Sequence, residues 1–187
     1  AKTLAELIAL AKASPGKYSS AAPGQGSTPH MFGEFFKRTA GIDIQHIHYK
    51  GSGPALTDVM GGQVPIMFDG IPSSLPLVRA GKLRALAVTG LQRSSAAPEI
   101  PTVAETLPGF DASGWFALYA PHGTPRPIVD KINQAVNRIL QMPEVKQAYN
   151  QLGAEVVGGS PEKLRDQVRQ ELAKWSKLIK ETGMKAE

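Results

Sequence analysis

A chain of 187 residues is long enough for one ordinary domain or two small ones, with a core that needs no covalent staple. The absence of Cys excludes disulfide scaffolds, zinc fingers, thiolate catalysis and cysteine-ligated clusters, and no apolar run approaches the ~18 residues of a membrane span. The net charge of +5 is spread along the chain, with 10 basic and 8 acidic side chains in residues 1–125 and 11 and 8 in 126–187, so no nucleic-acid-binding patch is expected.

Thr3 with Glu6 three residues later marks a helix start, and Leu4, Leu7, Ile8 and Ala11 recur at helical spacing until Pro15-Gly16 stops the pattern. No stretch has the basic and apolar regions of a signal peptide, so a processed chain, or one that has lost an upstream part, is expected. A strand is expected over 17–22, then a glycine-rich turn at 23–29, then a helix carrying Met31, Phe32, Phe35 and Phe36, with Thr28 as its cap and Pro29 as its first residue.

The alternation continues. A strand over 44–49 leads through Lys50-Gly51-Ser52-Gly53-Pro54 into a helix ending at Met60. A strand over 64–69 leads through Gly70-Ile71-Pro72 into a helix ending at Ala80, and a further strand is expected over 83–89. Strands alternating with short helices imply an α/β fold, a parallel sheet with helices on both faces. The strands at 64–68 and 83–88 are apolar on both parities, as buried strands are.

A second capping box, Thr102 to Glu105, opens a brief helix, and an aromatic strand is expected over 113–120. Beyond Pro121 the pattern is helical. Ile128, Ile132, Val136 and Ile139 form one stripe, a shorter helix covers 144–152, and Leu164, Val168, Leu172, Trp175 and Leu178 form a last stripe.

Gly24-Gln25-Gly26-Ser27-Thr28-Pro29 stands where a parallel strand ends and a helix begins, a place where free N–H groups and the helix dipole favour an anion. Turn chemistry alone accounts for the same residues about as well. The motif lacks the Gly-Lys-Ser/Thr ending of a phosphate-binding loop, and Pro29 replaces the third glycine of a dinucleotide fingerprint. The loops after Tyr49 and around Asp69-Gly70 fall at the same sheet edge, where ligands collect in open α/β sheets. Asp69 reads either as a hydrogen-bond acceptor for a ligand or as a brace for its own turn. His46 and His48 share one strand face, but no third ligand of suitable spacing is visible, so no metal is expected. His30 reads as an anion contact or a packing residue, and His122 as a loop residue. No nucleophile elbow, metalloprotease helix or carboxylate pair marks a reaction, which leaves binding without chemistry as the leading reading. The alternative is a nucleotide- or phosphate-using enzyme on a Rossmann-like sheet.

Leu10 to Lys17, Gly24-x-Gly26-Ser27 before His30, His48-Tyr49-Lys50-Gly51, Leu56-Thr57-Asp58 with Gly61-Gly62-Gln63-Val64, Ala80 to Thr89, Pro101 to Glu105, Trp115-Phe116, Gly123-Thr124-Pro125 and Lys174-Trp175 form a run of motifs. Together they resemble the Bug-type extracytoplasmic solute receptors of tripartite tricarboxylate transport systems. The resemblance implies a type II-like periplasmic binding protein that captures a small carboxylate between two lobes and delivers it to a membrane permease, with no cofactor and no reaction. It implies ligand contacts from Gly24, Gly26, Ser27, Thr28, His30, Tyr49, Asp69 and Gly70. Pro29, and His48 where a Pro is common, depart from the family pattern.

The resemblance also implies that the chain begins where the second lobe begins. Residues 1–112 then form that lobe, and 113–187 form a hinge strand and C-terminal helices returning to a truncated first lobe. Self-association, or association with the missing N-terminal part, is expected to cover the two helical stripes.

Overall fold

The structure is a computed structural model that describes residues 1–184. Helix α1 (Leu4–Ala13) begins where expected: the Thr3 hydroxyl accepts from the Glu6 amide at 3.1 Å, while the Glu6 carboxylate accepts from the Lys2 amide. Strand β1 (Tyr18–Ala22) leads to helix α2 (Thr28–Ala40), strand β2 (Ile44–His48), helix α3 (Ser52–Met60), strand β3 (Ile66–Met67) and helix α4 (Ile71–Arg79). The cap of α2 is Ser27 rather than Thr28, one residue earlier than expected, because the Ser27 hydroxyl is the group that accepts from the His30 amide.

The sheet is parallel with order β2-β1-β3, so β1 is central. Ser20 stands opposite His46 on one side and Ile66 on the other. Side chains of one parity, Ile44 and Ile66, pack with Phe36, Phe32 and the buried face of α1. The other parity packs elsewhere: Ala21 and Met67 meet Ala55 of α3 and Val64. Helices on both faces make this the expected α/β fold.

Three strands differ from expectation. The third is two residues long, where 64–69 was expected. Residues 83–89 form no strand, their ladder contact reduced to a parallel bridge between Val88 and Thr102. Residues 113–120 belong to no strand, and Phe116, Leu118 and Tyr119 stand in solvent. The physical reason is shared: apolar composition suits a strand, but a strand extends only as far as a neighbour supplies ladder hydrogen bonds, which among the described residues reach two residues for β3, one bridge for Val88, and none for 113–120.

The Thr102–Glu105 capping box forms as expected, with both reciprocal bonds, on a single 3-10 turn. Helices α5 (Arg126–Leu140), α6 (Pro143–Gln151) and α7 (Pro161–Thr182) complete the chain. The last helix uses its stripe unevenly. Trp175 stacks on Phe32 with ring centroids 5.5 Å apart and meets Phe35 edge-on, and Leu178 is buried, whereas Leu172 faces solvent. Arg38 and Glu181 pair at the far end of the same contact, so α7 packs on α2.

Candidate functional site

Because the strands are parallel, the loops that follow them gather at one edge of the sheet. The loop after β1 turns on Gly24 and Gly26, at φ 118° and 69°, a backbone that side chains rarely adopt. It is tightly self-bonded. The Ser27 hydroxyl donates to the Gly24 carbonyl at 2.8 Å, the Ser27 amide donates to the same carbonyl, and the Gly26 amide donates to His30 Nδ1 at 3.0 Å. Of the N–H groups that could meet an anion there, those of Gly26 and Ser27 therefore already donate, one to His30 of α2 and one within the loop. Thr28, the first residue of α2, is exposed at the positive end of the helix.

The other two loops are tied together. Asp69 accepts from the Ser52 hydroxyl at 2.7 Å through one carboxylate oxygen and from Ser73 through the other. Of its two readings, the brace is the one whose bonds are made, and it spans the starts of α3 and α4. Gly70 caps α4 without a side-chain bond. Tyr49 donates its hydroxyl to Asp58 at 2.8 Å, and its backbone amide donates to Ala22 at the end of β1. These residues hold the edge in shape: α2 is capped by Ser27 and presents the exposed Thr28, while α3 at Gly51 and α4 at Gly70 start without a side-chain cap. The chain also holds an open groove of about 570 Å³ between Leu83–Ala85 and Glu99–Pro101. It touches none of the three loops and lacks their convergence of helix starts.

Behind the glycine loop lies a histidine cluster. His30 and Glu34 stand one turn apart on α2, over His46 of β2, and the rings of His46 and His48 lie 4.9 and 4.7 Å from that of His30. Burial, with the neighbouring His46 and His48, pushes the His30 ring down to about 4, so it is neutral near pH 7 and can accept from Gly26. Glu34 is held down to about 2, first by the His46 ring, 3.2 Å from its carboxylate, and then by Lys37, against the opposing cost of burial.

A family model described as "Tripartite tricarboxylate transporter family receptor" matches residues 1–184. The chain belongs to this family. It is 40% identical over 184 residues to Protein BugT of Bordetella pertussis, covering 98% of this chain and 56% of that one. Among solved structures, "R. palustris Rpa4515 with adipate" superposes with TM-score 0.88 at 37% identity, over 98% of this chain and 62% of that one. The periplasmic binding protein BugD gives TM-score 0.83 at 34% identity, over all of this chain and 64% of that one. The chain spans 56% of the length of BugT and 56% of that of a UPF0065 protein of Pseudomonas sp. (strain P51).

As a member of this family, the chain has the periplasmic-binding-protein fold that the resemblance implied, and the family consists of solute-binding receptors. No helix among the described residues is long and apolar enough to cross a membrane. The structure brings Gly24, Gly26 and Ser27 of the loop together with Thr28 and His30 of the first turn of α2, and places Tyr49, Asp69 and Gly70 along the same edge. What the sequence reading missed is Glu34. It and His30 supply donors beside His46, where no third donor was expected, and the signal was their four-residue spacing on a helix already in view.

Proposed function

We propose that this chain carries the main ligand loop of a periplasmic receptor that captures a small carboxylate and delivers it to a tripartite membrane permease, without catalysing a reaction. The observation that carries this is the gathering of the starts of α2, α3 and α4 at one edge of the parallel sheet, beside the Gly24–Thr28 loop at the end of the central strand. Rpa4515, a relative whose structure superposes over nearly the whole chain, is described with adipate. In this reading residues 1–112 are the ligand-binding lobe and 113–187 the hinge and returning helices, a division supported by where the buried core ends.

An NMR titration of the 187-residue chain with adipate, citrate and malate tests the reading. Amide shifts concentrated on residues 24–28, saturating with carboxylate and absent with ADP, are expected. Shifts elsewhere, or a response to ADP alone, reject the carboxylate site in favour of a nucleotide-using protein. Replacing Ser27 with Leu removes the hydroxyl that shapes the loop and is expected to weaken carboxylate binding about tenfold, by loss of roughly one charge-assisted hydrogen-bond network.

A further inference from the structure

The cluster under the first turns of α2 has more polar capacity than it uses. His30 and Glu34 share one face of the helix, His46 rises from β2 against them, and one ligand atom from each of the three lies within 4.8 Å of the other two. The His46 side chain is only 5% exposed, yet its Nδ1 has no partner and its Nε2 has only the 3.2 Å contact with the Glu34 carboxylate, short of a well-formed hydrogen bond. Across the ladder on β1 the Ser20 hydroxyl is completely buried and also without a partner. Buried polar atoms left unpaired forfeit the hydration they had in the unfolded chain, so three in one place call for a missing partner.

We propose that His30, Glu34 and His46 form a binding site for a divalent transition-metal ion of the zinc type. Two imidazoles and one carboxylate are the donor set of open-sided zinc and non-haem iron sites, and imidazole selects such ions over magnesium or calcium. Two existing contacts must give way. Lys37, 3.2 Å from Glu34, is partly exposed and free to swing out as the dication takes its place. His30 now accepts from Gly26 through Nδ1, which places the ring proton on Nε2. Ligation through Nε2 moves that proton to Nδ1, and the Gly26 amide then loses its acceptor. Occupation of the site is thereby linked to the conformation of the glycine loop.

The test uses the 187-residue chain stripped with a chelator and dialysed. Zinc titrated by calorimetry is expected to bind at one ion per chain and to raise the melting temperature. Cobalt(II) is expected to give visible absorption bands of imidazole ligation, and the Gly26 amide resonance is expected to move on zinc addition. Glu34→Gln keeps the side-chain shape and is expected to weaken zinc roughly tenfold or more. His46→Gln is expected to abolish binding in a chain whose circular dichroism is unchanged, and His122→Ala is expected to have no effect. Should His46→Gln fail to fold, Glu34→Gln and the Gly26 resonance still decide. The proposal is overturned by absence of saturable zinc binding, by binding that Glu34→Gln leaves intact, by loss of binding in His122→Ala, or by zinc binding that leaves Gly26 unmoved.

Discussion

Residues 1–112 and residues 113–184 are built from helices of similar amphipathic design, yet they reach different ends. Nearly every buried side chain lies in the first region, and Leu178 is the sole one in the second among the described residues. Helix α2 places Phe32 and Phe36 against the sheet, where Ile44, Ile66 and Phe110 enclose them. Helix α5 carries an equally regular stripe, but Ile128, Ile132 and Ile139 remain 44–50% exposed. An apolar stripe thus states that a helix wants a partner surface. Whether it has one depends on the rest of the fold.

The largest effect that sharpens this contrast is expected from Phe36→Ala. The ring is 1% exposed and touches Phe68 and Phe110, so its removal should cost about 3–5 kcal/mol in urea unfolding. A loss below ~1 kcal/mol would show that the first region is not the stabilising core.

Acid should act next, and on the same region. The folded chain holds His30 near 4, below the ordinary 6.5, so the unfolded chain takes up a proton first as the pH falls. The contribution of His30 is therefore complete above about pH 6.5 and declines from there toward 4. Glu34, held near 2 against an ordinary 4.5, adds a second loss that begins below about pH 4.5. Melting curves of the metal-free chain from pH 7.5 to pH 3 should show both stages, and His30→Gln should remove the upper one. A melting temperature constant from pH 7 to 4 would contradict the burial of the cluster.

The smallest effect is expected from Ile132→Ala in α5. With nearly half its surface already in water, the side chain has little left to lose, and a change of about 1 kcal/mol or less is expected in the same urea assay. A cost matching that of Phe36→Ala would break the comparison, because it would mean that α5 is covered in solution.

The division between what the residues announce and what they leave open follows the range of the interactions. Helix starts were legible because their causes are local: Thr3 with Glu6 and Thr102 with Glu105 act within one turn, and the glycine loop needs only the backbone freedom of Gly24 and Gly26. The slip of the α2 cap from Thr28 to Ser27 is a competition between adjacent hydroxyls that sequence does not rank. The parallel α/β arrangement and the gathering of three loops at one edge also followed from the order of elements, since parallel strands force each crossover to begin at the same side.

What only the tertiary structure decided is whatever depends on a distant partner. Residues 83–89 and 113–120 have the composition of strands, but the first finds a single bridge and the second no ladder partner among the described residues, so composition alone misassigned them. Asp69 was open to two readings until Ser52 and Ser73 were seen to occupy its oxygens. Glu34 carried no reading of its own until β2 brought His46 beneath it. Local hydrogen bonds and side-chain periodicity are written in the order of residues, whereas burial and pairing between distant segments exist only once the chain has closed on itself.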